Sequence, residues 1–263
     1  MRPFLDWESV RHAEATLRLA KPVSYVPNPI IRSAVHGSMF DQPAISETVT
    51  VVKHLVMYNP YFVGVDRSLV HELAHAKTDE NGYYCFPTLE GGEAAAYDMS
   101  WAWIDDAYAH MTLFRHCKGA LLMELSFKIT GMAEHVVMNL LDSERIRSDA
   151  GFQWLIHELL RTALYEALVS KFEFTQLCDE LEAVKSSWSV IREAANRLWK
   201  FEEEAVSVFS SLPSQQDLTR QQYIESGLEL ALSKHVSTPA RVAMRCDRQY
   251  MERLQSIVKR VSA

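Results

Sequence analysis

Residues 58–79 read YNPYFVGVDRSLVHELAHAKTD, and the interpretation of the surrounding chain starts from this stretch. Asp66 is a good N-cap residue, so the sequence predicts a helix over 67–78 that stops before the Asn-Gly pair at 81–82. The preceding segment, ETVTVVKHLVMY (47–58), is rich in β-branched side chains and predicts a strand. We therefore expect a strand followed by a helix in this region.

The predicted helix contains the pattern H-E-x-x-H at His71, Glu72 and His75. Positions i and i+4 lie on the same face of a helix, so both imidazoles can bind one zinc ion. Glu72 is adjacent to the first histidine and does not itself have to bind the metal. It is predicted to be the general base that takes a proton from a zinc-activated water.

Outside this region the sequence is mostly typical of helices. It has nine glycines and nine prolines in 263 residues, and helix-forming residues with a 3.6-residue rhythm dominate from about position 92. These features predict a mainly α (α+β) fold with a small sheet. The predicted helices cover 7–20, 92–117, 118–130, 132–148 and 151–171, with a loop at 21–29, an apolar segment at 30–40, a second short strand at 83–86, and helix stops at 212–217 and 237–239.

The composition argues against several classes of protein. A net charge of −7 provides no clustered positive charge for phosphates, so nucleic acid is not an expected partner. No apolar run reaches the roughly 18 residues that cross a bilayer, so no membrane partner is expected. Charges in the first 20 residues and four widely spaced cysteines favour a cytoplasmic protein with reduced thiols.

The stretch 58–79 resembles the helix-entry region of zinc metallopeptidase domains related to the zincins. Those domains have a similar order of Asn-Pro, Phe-Val and H-E-x-x-H. The resemblance implies a zincin-like domain with zinc as its cofactor and a peptide or protein as its substrate.

A later segment, EHVVMNLLDSERIR (134–147), is similar to the second helix of metallopeptidase-like modules found beside von Willebrand A domains. Those modules occur in proteins that assist nitric-oxide-reductase activation and cobalt chelation. The shared residues are His135, Asn139, Asp142, Arg145 and Ile146. The resemblance covers about residues 50–148, and the sequence has no A domain. A boundary is placed near residue 172, where the helices with motifs give way to charged helices such as FEEEA (201–205). We therefore expect a zincin-like domain over 1–171 and a helical extension over 172–263, with a single domain as the alternative.

A zinc site needs a third protein ligand besides the two histidines. Asp142 is preferred because it shares a helical stripe with His135, whereas Glu144 points to the opposite side. Glu93 is the competing choice, since it follows the second histidine by a gap typical of zincins with a glutamate ligand. Its position in a first helical turn is also explained by the helix dipole alone. The same role is open to His135 and Glu90, and the site could also lack a third protein ligand.

Two further residues are candidates for catalysis. Arg145 lies close to Asp142 and is predicted to orient that carboxylate or to stabilise an oxyanion, although a salt bridge within a helix bundle explains it as well. Tyr83 is predicted to donate a hydrogen bond to a tetrahedral intermediate, although packing alone would also account for it.

Three functions are compatible with these patterns. The first is a zinc-dependent peptidase, in which an edge of the strand at 47–58 binds an extended peptide as an added strand. The second is an inactive zincin-like scaffold that contacts a protein partner through its C-terminal helices. The third is a di-iron oxidase, because Glu72 and His75 also form Glu-x-x-His, but such sites usually need that motif twice.

Overall fold

The computed structural model describes residues 5–41, 50–81, 91–141, 149–187 and 196–213. Within this part of the chain helices dominate and a small sheet accompanies them, which confirms the predicted mainly α (α+β) fold. In chain order the elements are α1 (Trp7–Leu17), β1 (Val23–Pro27), β2 (Ala34–Phe40), β3 (Val51–Tyr58), α2 (Val65–Glu80), α3 (Gly91–Leu141), α4 (Asp149–Lys171), a 3₁₀ turn (Thr175–Leu177), α5 (Cys178–Ser187) and α6 (Asn196–Ser211).

The three strands form one sheet in the order β1-β3-β2. β1 runs parallel to β3 and β2 runs antiparallel to it. The predicted strand at 47–58 is therefore the central strand β3, over Val51–Tyr58, and both of its edges are paired. The expectation that this strand offers an edge to a peptide is wrong, because its neighbours already use its backbone groups.

Both flanking strands lie where the sequence predicted other structure. β1 lies in the predicted loop at 21–29, and β2 occupies most of the apolar segment at 30–40. β1 ends at Pro27, and its pairing with β3 joins residues about 30 positions apart, as in Val23 with His54. Such long-range pairing leaves little trace in local sequence patterns, so these strands could not be predicted from propensity.

The helix with the histidine pair is longer than predicted, at Val65–Glu80. Its N-cap is Gly64, in the left-handed conformation with φ 84°, and not Asp66. Asp66 instead lies in the first turn, where a carboxylate interacts favourably with the helix dipole. Glycine takes this backbone conformation without the steric cost of a side chain, so it could replace the predicted cap.

Helix α3 changes direction at Cys117, whose φ of −143° and ψ of 55° are not helical. The predicted break between 117 and 118 is thus present, whereas the helix continues through the predicted break near Gly131. A single internal glycine costs a helix only about 1 kcal/mol, which tertiary packing can offset. We call the parts before and after Cys117 the first and second arms of α3.

The chain divides into two compact units. Unit 1 comprises Met1–Thr88, Asp105–Glu124 and Pro213–Ile224, and unit 2 comprises Leu89–Ile104, Leu125–Leu212 and Glu225–Ala263. In unit 2, α4 packs against α5 and α6 around buried residues such as Tyr165 and Phe209. The helix stop at 212–217 agrees with the end of α6 at Ser211. The domain limits 1–171 and 172–263 stay a prediction.

In unit 1, α2 packs on α1 and on one face of the sheet. The ring of Trp7 on α1 contacts Tyr25 of β1 and Tyr58 of β3, with centroids 5.1 and 5.8 Å away. Leu69 and Leu73 of α2 are completely buried. This packing fixes α2 against the sheet and so positions its histidines. None of the described helices contains a stretch long and apolar enough to span a membrane.

Candidate metal centre

The two histidines of H-E-x-x-H face each other on α2. The Nε2 atoms of His71 and His75 are 3.0 Å apart, and their side chains are only 6% and 14% exposed. The one-turn spacing of the helix brings the rings together, as the sequence predicted. Two nitrogens at this distance can share a hydrogen bond or bind the same cation.

Asp106, in the first arm of α3, adds a carboxylate oxygen to this pair. Its Oδ1 atom lies 2.8 Å from Nε2 of His71 and 3.7 Å from Nε2 of His75. These three atoms lie on a circle with a radius of about 1.9 Å. A zinc ion slightly above the plane of that circle would be about 2.0–2.1 Å from each atom, which is the usual Zn–N bond length. The three atoms therefore fit a zinc ion.

His110, one turn after Asp106 on α3, is a fourth residue of the group. His71, Asp106 and His110 offer ligand atoms that lie within 4.8 Å of one another. The His110 side chain is completely buried, and its Nδ1 atom is 2.6 Å from the backbone oxygen of Asp106. This contact favours a ring that donates from Nδ1 and keeps the Nε2 lone pair, the form that binds metals.

Carboxylates also face the other nitrogens of the histidine pair. Nδ1 of His71 is 2.9 Å from Oε1 of Glu124, in the second arm of α3, and Nδ1 of His75 is 2.7 Å from Oδ2 of Asp105. These two contacts are ion pairs, whereas Nε2 of His71 makes a hydrogen bond of 2.8 Å with Oδ1 of Asp106. A carboxylate beside Nδ1 stabilises a proton on that atom, so a cation that displaced the Nε2 proton would leave each ring in the form that metal-ligating histidines adopt.

The charges of the centre are strongly coupled. Burial alone would lower the pKa of His75, but the carboxylates of Asp105 and Asp106 outweigh it and raise that pKa well above its ordinary value. Burial would raise the pKa of Asp106, but the imidazoles of His71 and His110 hold it well below its ordinary value. A cation at this site would therefore have to displace a proton from His75, so its affinity should increase with pH.

Glu72 lies between α2 and β2. Its Oε2 atom accepts a hydrogen bond of 2.9 Å from the backbone N–H of His36. Its charge also contributes to the raised pKa of His75, which means that the carboxylate lies near the histidine pair. The hydrogen bond fixes the carboxylate beside an edge strand of the sheet.

A second polar group, which we call the His36 cluster, lies between α2 and the strands β2 and β3. It consists of His36, Ser38, His54, Asp79 and Glu80. Nε2 of His36 is 3.1 Å from Nδ1 of His54, and Ser38 donates its hydroxyl to Oδ2 of Asp79 at 2.5 Å. Glu80 Oε1 is 3.3 Å from Nε2 of the completely buried His54.

The histidines of this cluster have lowered pKa values. Burial, followed by the neighbouring imidazoles of His75 and His54, lowers the pKa of His36 to about 3. Burial lowers the pKa of His54 as well, although Glu80 opposes the change. Both rings are therefore neutral at physiological pH.

Asp79 has the opposite kind of shift. Burial and the nearby carboxylate of Asp105 raise its pKa to about 7, against the effects of Ser38 and His75. The folded state thus keeps a proton on Asp79 up to about pH 7, whereas the unfolded state loses it near pH 4. Stability due to this group falls as the pH rises between these values.

The other predicted site residues are not placed by the structure. Asp142, Arg145 and Tyr83 lie outside the described residues. Glu93 lies in the first turn of α3, but its side chain is also outside the described part. Their proposed roles stay predictions, and of the predicted ligands only His71 and His75 are brought together among the described residues.

Sequence reasoning missed four residues of the centre: Asp105, Asp106, His110 and Glu124. Asp106 and His110 have the i, i+4 spacing of two residues on one helical face, so this signal was present in the predicted helix 92–117. Glu124 had no comparable signal, because it reaches His71 only through the change of direction at Cys117.

No protein family, curated protein or solved structure matches this chain.

We expect that Glu124→Gln weakens zinc binding by about 10-fold and Glu124→Ala by up to about 100-fold, the range typical for partners of ligating histidines. The neutral amide still fills the space but holds the Nδ1 proton of His71 less strongly. Competition with a chromophoric chelator measures the affinity. The control is Glu14→Gln, which alters a carboxylate that accepts a hydrogen bond from Tyr25 in the same unit. Equal zinc affinities of the wild type, both Glu124 variants and the control would contradict the role of Glu124.

Asp79→Asn should stabilise the metal-free protein, and more so at pH 8 than at pH 5.5. The asparagine oxygen can still accept the Ser38 hydroxyl, whereas the carboxylate must ionise near pH 7 in a buried site beside Asp105. Thermal unfolding in EDTA should show a gain in Tm several degrees larger at the higher pH. Asp66→Asn, on the same helix, should show no such pH-dependent gain. A gain at pH 8 no larger than that at pH 5.5 would show that Asp79 is already ionised in the folded state.

Proposed function

We propose that the chain is a zinc-dependent metallohydrolase, most specifically a peptidase, with His71, His75 and Asp106 as zinc ligands. One observation carries this proposal. Nε2 of both histidines and Oδ1 of Asp106 lie on a circle whose radius, about 1.9 Å, is close to a zinc bond length, and a carboxylate lies within 2.9 Å of the opposite nitrogen of each ring. His110, whose Nδ1 lies 2.6 Å from the backbone oxygen of Asp106, orients that residue in this proposal and leaves the fourth position on zinc open.

The ligand set supports a catalytic metal. Two imidazoles and one carboxylate leave a position for water or substrate, as in catalytic zinc sites. The same set also suits iron(II), so analysis of the bound metal is part of the test. The H-E-x-x-H order on a helix, with Glu72 adjacent to the first ligand, favours zinc and hydrolysis.

The proposed roles of the protein groups follow from their positions. Zinc, when bound, supplies Lewis-acid chemistry that lowers the pKa of water towards 7. Glu72 accepts the proton of the attacking water and returns it to the leaving amine. The N–H of His36 keeps the Glu72 carboxylate beside His75, and Asp105 and Glu124 keep the two imidazoles in the required orientation.

The substrate in this proposal is an extended peptide that binds along β2. Among the described residues β2 pairs only with β3, so its other edge is the one that can accept a strand. The N–H of His36 points from that edge to Glu72. A peptide on this edge would bring its backbone next to the proposed general base. β2 thus replaces β3 as the proposed binding strand.

One observation favours the alternative of an inactive scaffold. Glu72 already accepts a hydrogen bond from the backbone of β2, which ties the proposed base to the sheet. In a scaffold this bond would only connect helix and strand, and the protein partner would bind elsewhere, for example on the C-terminal helices.

The test combines metal analysis with a broad peptide-cleavage screen. Purified protein should contain zinc, cleave members of a mixed peptide library, lose cleavage in a chelator and regain it on addition of Zn²⁺. Zinc without cleavage would favour the scaffold. Iron as the native metal, with two ions per chain and visible absorbance, would support the oxidase instead. Absence of any bound metal would overturn the proposal.

A further inference from the structure

We propose that the face of β2 turned away from α2 forms a subsite for a bulky aromatic side chain of the bound peptide, above Gly37 and between Val35 and Met39. The inference rests on the proposed function, because it concerns a peptide that lies along the edge of β2 opposite β3. It names the kind of side chain that this peptide carries and its place relative to the cleaved bond.

The two faces of β2 have different surroundings. Ser38 points towards α2, where its hydroxyl contacts the carboxylate of Asp79. Because side chains alternate along a strand, Val35, Gly37 and Met39 lie on the opposite face, which we call the outer face. Val35 and Met39 are 49% and 53% exposed, so the outer face offers apolar surface to a ligand.

Gly37 interrupts this row of apolar side chains, and its own backbone does not explain why. A glycine weakens the interior of a strand and is typical of a bulge, a bend or a place where another chain approaches closely. Gly37 does not have a positive φ, and the irregularity of β2 lies between Met39 and Phe40. A Cβ atom at Gly37 would meet no atom of the described residues within 4 Å. The space above Gly37 is therefore open to a second chain.

This space has apolar sides. Val35 and Met39 flank it along β2, and the half-buried Leu55 of β3 is the cross-strand partner of Gly37. Residues that are directly opposite on paired strands share a face, so Leu55 borders the same space. A large side chain lying across Gly37 would bury apolar surface of all three neighbours. Aromatic side chains suit this position best, because they compensate for a glycine on a neighbouring edge strand.

The hydrogen bonds of β2 determine how a peptide would face Gly37. The carbonyl of Ser33 accepts the N–H of Asn59 after β3, so Gly37, four residues further along, also turns its backbone groups towards β3. His36 instead turns its N–H to the opposite edge, where Glu72 accepts it. On that edge Gly37 is a non-hydrogen-bonded position, where the side chains of opposite residues are closest to each other.

The contact between His36 and Glu72 also indicates which peptide bond is cleaved. In an antiparallel pair the N–H of His36 would bind the carbonyl of the peptide residue opposite, but Glu72 already accepts this N–H. That peptide carbonyl lies beside the proposed general base without a donor from β2, so we infer that it is the one attacked. Because the peptide runs antiparallel, the residue opposite Gly37 is then the second residue before the cleaved bond.

The experiment measures cleavage preferences of the full chain in a mixed peptide library, with products identified by mass spectrometry. The wild type should prefer Phe, Tyr or Trp over Ala or Ser at the second residue before the cleaved bond by about 5-fold, as expected for one good cross-strand contact. Gly37→Val fills the open space, and Val35→Ser/Met39→Ser removes its apolar sides. Both changes should reduce the preference to about 2-fold or less. The control Val26→Ala, on the other edge strand β1, should retain it.

Binding without cleavage tests the subsite separately. Chelator-treated protein is titrated with short fluorescein-labelled peptides of Thr and Ser whose central residue is either Trp or Ala. The wild type and Val26→Ala should bind the Trp peptide about 5-fold more tightly than the Ala peptide, and Gly37→Val should bind the two equally.

The outcomes separate the subsite from the proposed function. Cleavage without an aromatic preference, or with a preference that Gly37→Val and the double variant retain, would overturn the subsite and leave the peptidase intact. If no peptide is cleaved, the peptidase fails and the titration decides. Tighter binding of the Trp peptide that is lost in Gly37→Val would then support the subsite, whereas equal binding of both peptides by the wild type would overturn it.

A folding defect cannot imitate the expected result. Each preference is a ratio of two peptides measured with one protein sample, so an unfolded fraction changes both values equally. Valine is also more favourable than glycine in a strand, and the space above Gly37 accommodates its side chain in the absence of peptide.

Discussion

Glu72→Gln is expected to reduce peptide hydrolysis by about 10²–10⁴-fold while the protein still binds zinc. Glutamine keeps the shape of the side chain and can still accept the N–H of His36, but it cannot take a proton from water. The size of the loss is that of a missing general base. The measurement is kcat/KM on the best peptide from the screen, together with the zinc content of the same samples.

The control for this variant is Asp66→Asn, which alters a carboxylate in the first turn of the same helix. It should retain wild-type activity and zinc. Full activity of Glu72→Gln would remove Glu72 from the mechanism. Loss of zinc together with activity would instead make Glu72 a ligand or a structural residue.

The second large effect is expected for Asp106→Asn. This change removes the negative charge from the side chain whose oxygen lies 2.8 Å from Nε2 of His71. Zinc affinity should therefore fall by more than about 100-fold, a larger loss than for residues that contact a ligand but not the metal. Hydrolysis at limiting zinc should fall in parallel. Competition with a chelator of known affinity measures the first quantity, and kcat/KM at buffered zinc measures the second.

The same measurement decides between Asp106 and the ligands predicted from the sequence. Asp142→Asn and Glu93→Gln should bind zinc as the wild type does if Asp106 is the third ligand. If either of them loses zinc while Asp106→Asn keeps it, the centre is completed by that carboxylate. Far-UV circular dichroism of each variant shows whether its helices remain intact.

The helices and strands that depend on local sequence patterns could be predicted from the sequence. The helix with His71 and His75, the strand β3 and the break in α3 were all predicted, because helical period, β-branched runs and turn residues are local signals. The parts that depend on contacts between distant residues were missed. β1 and β2 exist through pairing with β3, and neither has a strong pattern of its own.

The same distinction applies to the candidate centre. The two histidines follow from one helical turn, whereas their carboxylate partners come from a different helix. Asp106 could have been proposed from its i, i+4 relation to His110, but nothing in the sequence indicated that this face meets α2. A helical stripe around Asp142 looked equally suitable, because a stripe identifies a face and not its neighbour.

The change of direction at Cys117 has a consequence for how the centre assembles. Asp106 and Glu124 are 18 positions apart, and on a straight helix their Cα atoms would be separated by about 27 Å. Both side chains nevertheless contact the ring of His71, so the chain reverses direction between these two residues. Closing such a short loop costs little conformational entropy, and helical hairpins of this kind form in microseconds to milliseconds. The carboxylate half of the centre can therefore form early during folding, and the histidine helix from further upstream can dock onto it afterwards.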